Sequence, residues 1–590
     1  MSVLIFLIIS YVLLSISLRG VFEKAGVAAN KALIPGVNFM EWCSIIGRPK
    51  WWALLLLIPI VDIFIYAGMC VDMVRSFKKY DFKDSALAVI YAPLSFFLIG
   101  KDNGAKYDGP TLEKEAAYQA EIEAAVKADD RLKLKRLMAK NPYQKSQVRE
   151  WVEAIVFAVF AATFIRMFLI EAYVIPTSSM EGSLLVGDYL FVSKAHYGIR
   201  TPETIAMVPL LHNRIPPLNT ESYLESPSIP STRLPAIETI DKNDPVVFNY
   251  PEGDSVYVTP GRTWSVYDLR RQAIPPQTAQ AIQAGRFDLV TRPVDKMDHY
   301  IKRCVATPGD SLQIIDRQLY INGQPAKNPT NVQFRYLVKH NGPLSDRNFD
   351  DWGISPEDRI YYNDGTNPES DRHKMLVLSE EQKEKIKSMD PSIEIIPNDM
   401  YWVNLPENLS PEVMIVWGVD NSNFRYSLGG RLMYTLRKDQ ADSLRANGIG
   451  VEYNYETERL FPHDPENYKN NSVDNYGPLY VPAKGATVIV TPETIAPYHR
   501  IISVYEGNDL KIANGRVYIN GEETTQYTFQ QDYYWMMGDN RHNSEDSRVW
   551  GFVPHSHVVG KPLFIWFSTQ YGNASNGINW DRIFSSADKE

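Results

Sequence analysis

Four apolar runs stand out in the first 175 positions of the chain, and the pattern after them changes to short segments of β type. A helix of about 20 apolar residues is long enough to cross a bilayer. The third run is short and contains Pro93, so it predicts either a tilted span or a re-entrant or interfacial segment. The pattern therefore predicts three to four N-terminal transmembrane helices, at 3–18, 51–74, 86–99 and 151–170.

Charged residues beside these runs limit the topology. No basic residue precedes the first run, and Arg19 and Lys24 follow it, which is the reverse of a secretory signal peptide. We therefore expect an uncleaved helix. The loop distribution of Lys and Arg does not decide between three and four spans. Either number places the charged, helix-patterned residues 101–150 in the cytoplasm and everything after about residue 171 outside.

Beyond residue 171 the chain has the pattern of β-structure. Short runs rich in β-branched and aromatic residues are bounded by Pro, Gly or Asp, which is typical of strands, and they lie at 189–193, 246–250, 299–305 and 311–315. Two segments, 319–323 and 517–521, end in Asn-Gly, which predicts a hairpin with a two-residue type I′ turn.

Two stretches interrupt this β pattern. Residues 325–480 are polar and have helical patterns at 379–389 and 436–447, so we expect an inserted subdomain. The Pro-rich stretch 201–240 predicts a long surface loop.

Composition narrows the class of protein only slightly. A chain of 590 residues is too long to fold around one hydrophobic core, so two or more units are expected. The net charge of −9 gives no reason to expect a nucleic-acid partner. Only one of the three cysteines, Cys304, lies beyond the apolar region, so the exported part has no internal disulfide. No Cys/His spacing suggests zinc, and we expect neither a metal nor another cofactor.

Ser179 is the first candidate for chemistry. A serine becomes a good nucleophile only when a base lies within about 3 Å and donors face the developing oxyanion. Ser179 comes shortly after Pro176, which ends an apolar run and favours a tight, exposed turn. Taken alone, this segment is better interpreted as a connector between a helix and a strand.

Lys302 is the candidate base. In a strand, Lys302 and Arg303 point to opposite faces, so one can face inward while the other meets solvent. Burial lowers the pKa of a lysine by several units from about 10.4, which makes it a plausible base for a serine. The alternative is a solvated basic pair on an edge strand.

A third segment, 537–554, is densely polar and follows an aromatic strand pattern. Asp, Asn and Ser side chains in such a loop form hydrogen bonds to the backbone and fix a complex turn. Asp546 and Arg548 are expected to form a structural pair there.

Together, in this order after an apolar helix, the three elements resemble the type I signal peptidase family, whose members cut signal peptides from exported proteins. IPTSSM, with Ser179 directly before Met180, matches the family's serine box, and GDYLFVSKAHYG continues it. DPVVFNYP, YIKRCVATPGD and GDNRHNSEDSRVWGFVP match the next three boxes. The resemblance covers residues 150–315 and 480–568.

The resemblance implies a role for each site residue. Ser179 would attack the scissile carbonyl, and Lys302 would take its proton. The Ser179 N–H and the hydroxyl of Thr177, where the family commonly has Ser, would form the oxyanion hole. The remaining residues would support the site: Ser544 by orienting the Lys302 ammonium, Asp546 and Arg548 by holding the loop, and Met180 by packing beside the nucleophile at the membrane surface.

The residue patterns and the resemblance together predict the architecture. The resemblance implies the antiparallel β domain, whereas the number of membrane helices and the length of the insertion depart from simple family members, which have one or two membrane helices. The expected fold is membrane-anchored and mainly β, with three to four N-terminal transmembrane helices followed by an antiparallel β catalytic domain that carries a large α/β insertion. The expected divisions are a membrane region at 1–100, a cytoplasmic charged helical linker at 101–150, a transmembrane helix at 151–170, the catalytic domain at 171–324 and 481–590, and an inserted subdomain at 325–480.

The function implied is that of signal peptidase I, a serine endopeptidase that cleaves exported preproteins after Ala-X-Ala-like small residues in a groove that takes the substrate as an added strand. Its partners would be signal-peptide-bearing preproteins, the lipid bilayer and, as a further candidate, the export machinery. The location would be the bacterial inner membrane, multi-pass, with the catalytic domain on the periplasmic side.

Three alternatives stay open. One is a related Ser/Lys peptidase with a narrow dedicated substrate, and another is a catalytically silent export-complex scaffold that only binds peptides. The third is a metal site at Asp539, Glu545 and Asp546, although carboxylates crowded in one loop usually serve turn chemistry.

Overall fold

The computed structural model describes residues 2–58, 61–143, 147–204, 206–215, 220–360, 373–397, 399–404, 419, 425–428, 431–453 and 459–588. The chain divides into two compact units, Met1–Ala161 and Ala162–Glu590. We call them the helical unit and the β unit.

The helical unit and the segment that follows it contain the longer helices. These are α1 (Ser2–Lys24), α2 (Val37–Ile46), α3 (Val61–Arg75), α4 (Phe82–Ile90), α5 (Ala92–Lys101), α6 (Thr111–Lys127), α7 (Arg131–Ala139) and α8 (Gln147–Phe168). The helices expected within 101–150 are present as α6 and α7. Apolar side chains of α1, α2, α3 and α5 pack into one core of the helical unit, around the fully buried Trp42.

The expected three to four transmembrane helices are not confirmed. Within the described residues, only α8 is long and apolar enough to cross a membrane by length and composition. The second apolar run is divided into a 3-10 helix, Lys50–Leu57, and the 15-residue α3, while the third run is divided between α4 and α5. Tyr91 lies between α4 and α5 in a non-helical conformation. Pro93 has no N–H to donate to the carbonyl four residues before it, and its ring clashes with that carbonyl, so α4 cannot continue through Pro93 as a regular helix.

Strands dominate the β unit. In chain order they are β1 (Ile170–Val174), β2 (Asp188–Ser193), β3 (Arg214–Ile215), β4 (Thr220–Glu221), β5 (Pro245–Asn249), β6 (Ser255–Thr259), β7 (Arg262–Ser265), β8 (Leu289–Thr291), β9 (His299–Ala306), β10 (Ser311–Ile315), β11 (Gln318–Ile321), β12 (Gln324–Pro325), β13 (Phe334–Lys339), β14 (Arg359–Ile360), β15 (His373–Leu378), β16 (Glu394–Pro397), β17 (Asp399–Asn404), β18 (Arg425–Leu428), β19 (Arg431–Leu436), β20 (Gly450–Tyr453), β21 (Tyr476–Tyr480), β22 (Thr487–Ile489), β23 (Leu510–Ala513), β24 (Arg516–Ile519), β25 (Glu522–Glu523), β26 (Gln526–Thr528), β27 (Tyr533–Met537), β28 (Val553–Pro554) and β29 (Val558–Ser568). The four strands predicted from alternation are confirmed as β2, β5, β9 and β10.

Shorter helices lie between these strands. They are α9 (Val266–Arg270), α10 (Pro276–Gln283), α11 (Asp346–Trp352), α12 (Glu380–Met389), α13 (Lys438–Ala446) and α14 (Ser547–Trp550). The two helices predicted at 379–389 and 436–447 are confirmed as α12 and α13. Ser379 is the N-cap of α12, and it exchanges hydrogen bonds with Gln382 in a capping box.

One seven-stranded antiparallel sheet forms the centre of the β unit, in the order β1-β2-β29-β5-β9-β27-β28. In β5, Val246 and Phe248 belong to one buried cluster and Val247 to the cluster on the opposite face, because side chains alternate along a strand. Since both faces are covered, the whole strand is buried and all of it except its last residue, Asn249, is apolar. The mainly β, antiparallel part of the expected fold is therefore confirmed.

The two Asn-Gly turns are also confirmed. Ile321 pairs with Gln324 across Asn322 and Gly323, whose φ angles are 52° and 76°. Ile519 pairs with Glu522 across the second turn, where Asn and Gly again have positive φ angles. Two positive φ angles define a type I′ turn, whose twist matches that of the strands beside it.

The stretch 325–480 contains two four-stranded sheets, and part of it lies outside the described residues. The first sheet, β14-β15-β13-β16, packs with α11 and α12 around Phe349 and Trp352. The second, β18-β19-β17-β20, packs with α13 around Tyr434 and Leu444. Each sheet has a small core of its own.

Candidate functional site

Ser179 and Lys302 are in direct contact. Ser179 lies in a short 3-10 turn, Ser178–Met180, between β1 and β2, and Lys302 lies in the middle of β9. The Lys302 ammonium donates hydrogen bonds to the Ser179 hydroxyl, at 2.7 Å between Nζ and Oγ, and to the carbonyl of Ile301 at 2.9 Å. The sheet thus brings together two residues that are 123 positions apart in the chain.

The surroundings of Lys302 favour its neutral form. The residue is only 3% exposed, and this burial lowers the pKa of its amine to about 8. The negative charges of Asp546, Glu545 and Asp539 act in the opposite direction. The loss of hydration is the larger effect, so the amine loses its proton far more readily than an exposed lysine does.

Arg303 does point away from Lys302, but the expectation that one of this pair meets solvent is wrong. Arg303 is 1% exposed, and its Nε and Nη2 each donate to one carboxylate oxygen of Asp539 at 2.8 Å. Ser183 Oγ also donates to Asp539, at 2.6 Å. A buried guanidinium needs such a bidentate partner, and the pair fixes β9 to the loop that follows β27.

Asp546 and Arg548 form the second buried ion pair of the site. The Arg548 guanidinium donates to both oxygens of Asp546, at 2.9 and 2.7 Å, and Asp546 also accepts from the N–H of Gly538 at 3.0 Å. Both side chains are almost fully buried. The two ends of the polar loop are therefore joined through one carboxylate.

Gly538 begins this loop at a point where no side chain fits. A Cβ built on Gly538 would lie 2.4 Å from the carbonyl oxygen of Ser179 and 2.2 Å from Ser544 Oγ. Both distances are far below van der Waals contact. The loop can therefore approach the nucleophile only because residue 538 is glycine.

The structure places the other predicted residues as follows. Thr177 is exposed and lies beside Ser179 in the same cleft. The Ser544 hydroxyl is buried near Gly538, and among the described residues no hydrogen bond joins it to Lys302 or to another group. Met180 is 1% exposed in an apolar core with Leu190, and its predicted place at the membrane surface stays a prediction. The roles given to Thr177 and Ser544 stay predictions.

The three carboxylates of the alternative metal site, Asp539, Glu545 and Asp546, each have a different arginine partner. Asp539 pairs with Arg303 and Asp546 with Arg548, and Glu545 accepts from Arg262 at 2.6 Å. Among the described residues there is no group of three His, Cys, Asp or Glu side chains that could hold a metal ion. The geometry therefore favours turn chemistry for this loop.

A cleft of about 890 Å³ opens beside the Ser179–Lys302 contact. Its wall includes Tyr173 and Val174 of β1, the edge strand of the central sheet. Residues of the 325–480 stretch line it as well, namely Arg335, Glu357, Arg459, Leu460 and Val473. Among the described residues, no strand pairs with the outer edge of β1, so an unpaired strand edge borders the cleft.

Sequence reasoning missed three residues that contact the serine segment, Asn540, Asn543 and Glu357, and a fourth, Asp358, that is joined to it through Asn540. Asn540 and Asn543 lie in the recognised polar loop, so their position was a signal that could have been used. Glu357 and Asp358 lie in the inserted stretch, where nothing in the local pattern marks them. The Ser178 N–H donates to Glu357 Oε2 at 3.2 Å.

The fold and the site define a class of mainly β proteins in which a serine hydroxyl contacts a buried lysine beside a peptide-sized cleft. A family model described as signal peptidase, peptidase S26, matches residues 148–405 and 524–567, just over half of the chain. The chain belongs to this family. A second model, for a family of unknown function, matches residues 30–110.

Curated relatives match over shorter segments. The chain is 33% identical to a signal peptidase I of Helicobacter pylori over 94 residues, which are 14% of this chain and 32% of that protein. It is 39% identical to a signal peptidase I of Pseudomonas aeruginosa over 72 residues, 10% of this chain and 25% of the relative. A third, from Buchnera aphidicola subsp. Acyrthosiphon pisum, is 66% identical over 54 residues, 9% and 17% of the two chains. The chain thus spans a third or less of the length of these relatives.

We expect Gly538→Ala to destabilise the β unit by about 1–3 kcal/mol, the usual cost of forcing a methyl group into a packed site. The added Cβ meets the Ser179 carbonyl, which is backbone and cannot rotate away. Thermal unfolding of the solubilised chain measures the effect. Gly68→Ala is the control, since the nearest atom to its Cβ is the end of the Arg48 side chain at 3.9 Å. Equal unfolding temperatures for the two variants would contradict the steric argument.

Proposed function

We propose that this protein is a signal peptidase I-type serine endopeptidase that uses a Ser179/Lys302 dyad. The observation that supports the proposal most directly is the 2.7 Å contact between Lys302 Nζ and Ser179 Oγ in an open cleft. A serine needs a base at this distance, and a desolvated lysine provides one near neutral pH. Family membership supports the same reaction class.

The proposed reaction proceeds through an acyl-enzyme. Neutral Lys302 takes the proton of the Ser179 hydroxyl while Oγ attacks the scissile carbonyl carbon. The carbonyl oxygen becomes an oxyanion that accepts from the Ser179 N–H and the Thr177 hydroxyl. The Lys302 ammonium then gives its proton to the leaving amine as the C–N bond breaks. A water molecule, deprotonated by Lys302, releases the acyl group and restores Ser179.

The proposed substrates are preproteins that carry signal peptides and are cut after small residues of the Ala-X-Ala kind. Tyr173 and Val174 support this mode of binding, because they lie at the free edge of the sheet and line the cleft. An extended peptide can pair with such an edge through backbone hydrogen bonds, while neighbouring pockets select its side chains. Three relatives of this chain are named signal peptidase I, and these names favour this substrate class.

We further propose a multi-pass protein of the bacterial inner membrane, with the β unit on the periplasmic side and the export machinery as a candidate partner. Helix α8 supports membrane insertion, since its apolar side chains are widely exposed, with Trp151 at 72% and Phe157 at 67%. In the β unit, Trp580 and Phe584 are 73% and 77% exposed. Exposed aromatic side chains of this kind favour the membrane interface.

Protease accessibility in intact inner-membrane vesicles tests this topology. We expect sites within 325–480 to be cut from the periplasmic side only, and sites within 101–150 from the cytoplasmic side only. Sites within 75–84 discriminate three from four spans. Cleavage of 325–480 from the cytoplasmic side would contradict the proposed orientation, and detergent-opened vesicles, in which all sites are accessible, are the control.

We expect Ser179→Ala and Lys302→Ala each to reduce preprotein cleavage by about three orders of magnitude or more, because each variant removes one half of a unit whose members act together. Cleavage of a panel of exported precursors by the purified full chain measures this. Ser183→Ala tests whether the loss is specific, since this nearby hydroxyl contacts Asp539 and not Lys302. Substantial cleavage by both dyad variants would contradict the proposal.

Cleavage of only one precursor would indicate a dedicated peptidase, and no labelling of Ser179 by a covalent serine probe would indicate a binding scaffold.

The cleavage rate should rise with pH through a limb near 8, because Lys302 acts as a base only after it loses its proton. Glu545→Gln should move this limb to lower pH, since the Glu545 charge raises the pKa of Lys302. Glu522→Gln is the control, as Glu522 is an exposed residue of β25. The pH dependence of kcat for the three proteins measures the shift. A limb near the ordinary lysine value of about 10.4 would contradict the buried-base account.

A further inference from the structure

A turn of the 325–480 stretch contacts the segment that carries Ser179. This 3-10 turn, Pro356–Asp358, follows α11 and precedes β14. Asp358 is 1% exposed, and its Oδ1 accepts from the side-chain amide of Asn540 at 2.6 Å. The contact joins residues that are 182 positions apart, and neither side chain reaches solvent.

Asn540 in turn contacts the backbone on both sides of the nucleophile. Its side-chain amide donates to the carbonyl of Ser178 at 3.3 Å, and its backbone N–H donates to the carbonyl of Ser179 at 3.2 Å. Asn543 adds a hydrogen bond from its side-chain amide to Ser178 Oγ at 3.0 Å. Asp358 therefore holds the amide group that holds the Ser178 carbonyl.

The direction of the Ser178 carbonyl determines the direction of the Ser179 N–H. The two groups belong to one planar trans peptide, in which C=O and N–H point in opposite directions. Rotation of this peptide by a few tens of degrees would turn the N–H away from an oxyanion. The Ser179 N–H is the backbone donor of the proposed oxyanion hole, so the hydrogen bonds of Asn540 fix the aim of that donor.

The Asp358 carboxyl group can accept from Asn540 whether or not it is charged. Burial raises the pKa of Asp358 to about 7, so protonated and ionised forms coexist near neutral pH, and in either form an oxygen can accept from the Asn540 amide at 2.6 Å. A buried carboxylate is costly to keep, and the described contacts of Asp358 go to the two asparagines that contact Ser178. The turn thus directs its buried carboxyl group toward the segment that carries Ser179 rather than toward its own subdomain.

We propose that Asp358 is a positioning residue which, through Asn540, sets the orientation of the Ser179 N–H, so that the inserted stretch is part of the catalytic apparatus. The inference rests on the proposed function, because it assigns an indirect role in the same reaction. It gives the insertion a purpose that a separate folded appendage would not have. Asp358 itself touches neither the substrate nor the reacting atoms.

The test uses Asp358→Ala in the full chain, with Asp351→Ala as matched control. Asp351 is an exposed acidic residue of α11 in the same stretch. We expect Asp358→Ala to lower kcat about 10-fold or more, but by no more than the 10²–10³-fold loss that follows removal of a whole oxyanion donor, and to leave KM nearly unchanged. Amide hydrogen exchange of a peptide containing residues 177–181 should become faster in Asp358→Ala only.

Two further variants separate positioning from general loss of structure. Asp358→Asn keeps an oxygen that can accept from Asn540, so it should regain much of the lost kcat. Asn540→Ala combined with Asp358→Ala should lose little more than Asn540→Ala alone, because both changes remove one chain of contacts. Fully additive losses, or no regain in Asp358→Asn, would overturn the proposal.

The outcomes distinguish the two levels of the argument. Wild-type kcat and wild-type exchange in Asp358→Ala would overturn the positioning role and leave the proposed function untouched. Faster exchange with unchanged kcat would overturn it as well. If the wild-type chain cleaves no preprotein, the proposed function fails, and the exchange measurement alone then decides whether Asp358 holds the Ser179 segment.

Discussion

The contact between the Ser179 hydroxyl and the buried amine of Lys302 is the constraint on which the site depends. Lys302 can donate to Ser179 at 2.7 Å in any protonation state, but it can accept a proton only when neutral. Lys302 lies in a sheet that is covered on both faces, and its burial there makes the neutral state of the amine accessible. The extensive apolar packing around β5 and β9 therefore has a chemical consequence as well as a stabilising one.

Nearby carboxylates oppose the loss of a proton from Lys302, because their negative charge raises the pKa of its amine. Asp539 and Asp546 both lie close enough to Lys302 to raise the pKa of its amine. Each has its own arginine, Arg303 or Arg548, in bidentate geometry. The loss of hydration is still the larger influence on the pKa of Lys302. The two buried pairs fix the loop in space beside Lys302.

Sequence patterns predicted the parts of this structure that local rules determine. The Asn-Gly turns follow from φ preferences, the strands at 246–250 and 299–305 from β-branched and aromatic content between Pro, Gly and Asp, and helix α12 from its helical pattern. All of these signals act over a few residues. The proximity of Ser179 and Lys302 was predicted through resemblance, because no local rule brings them together. The burial of Arg303 was not predicted, since alternation fixes only that two side chains face opposite ways and not whether both faces are covered. Apolar content alone also predicted one long helix at 51–74, where the described residues form two separate helical segments.

The contact made by Asp358 shows most clearly where such reasoning ends. Nothing near Pro356–Asp358 differs from an ordinary polar turn, and its partner Asn540 is 182 positions away. Only the fold reveals that a carboxyl group of the insertion is buried against the polar loop. This is the loop that approaches Ser179 because residue 538 is glycine. An insertion of this kind is not free to vary independently of the site, because loss of one acidic side chain would leave Asn540 without its strongest acceptor. The 325–480 stretch therefore supports the site through one turn, Pro356–Asp358, which contacts the residues around Ser179.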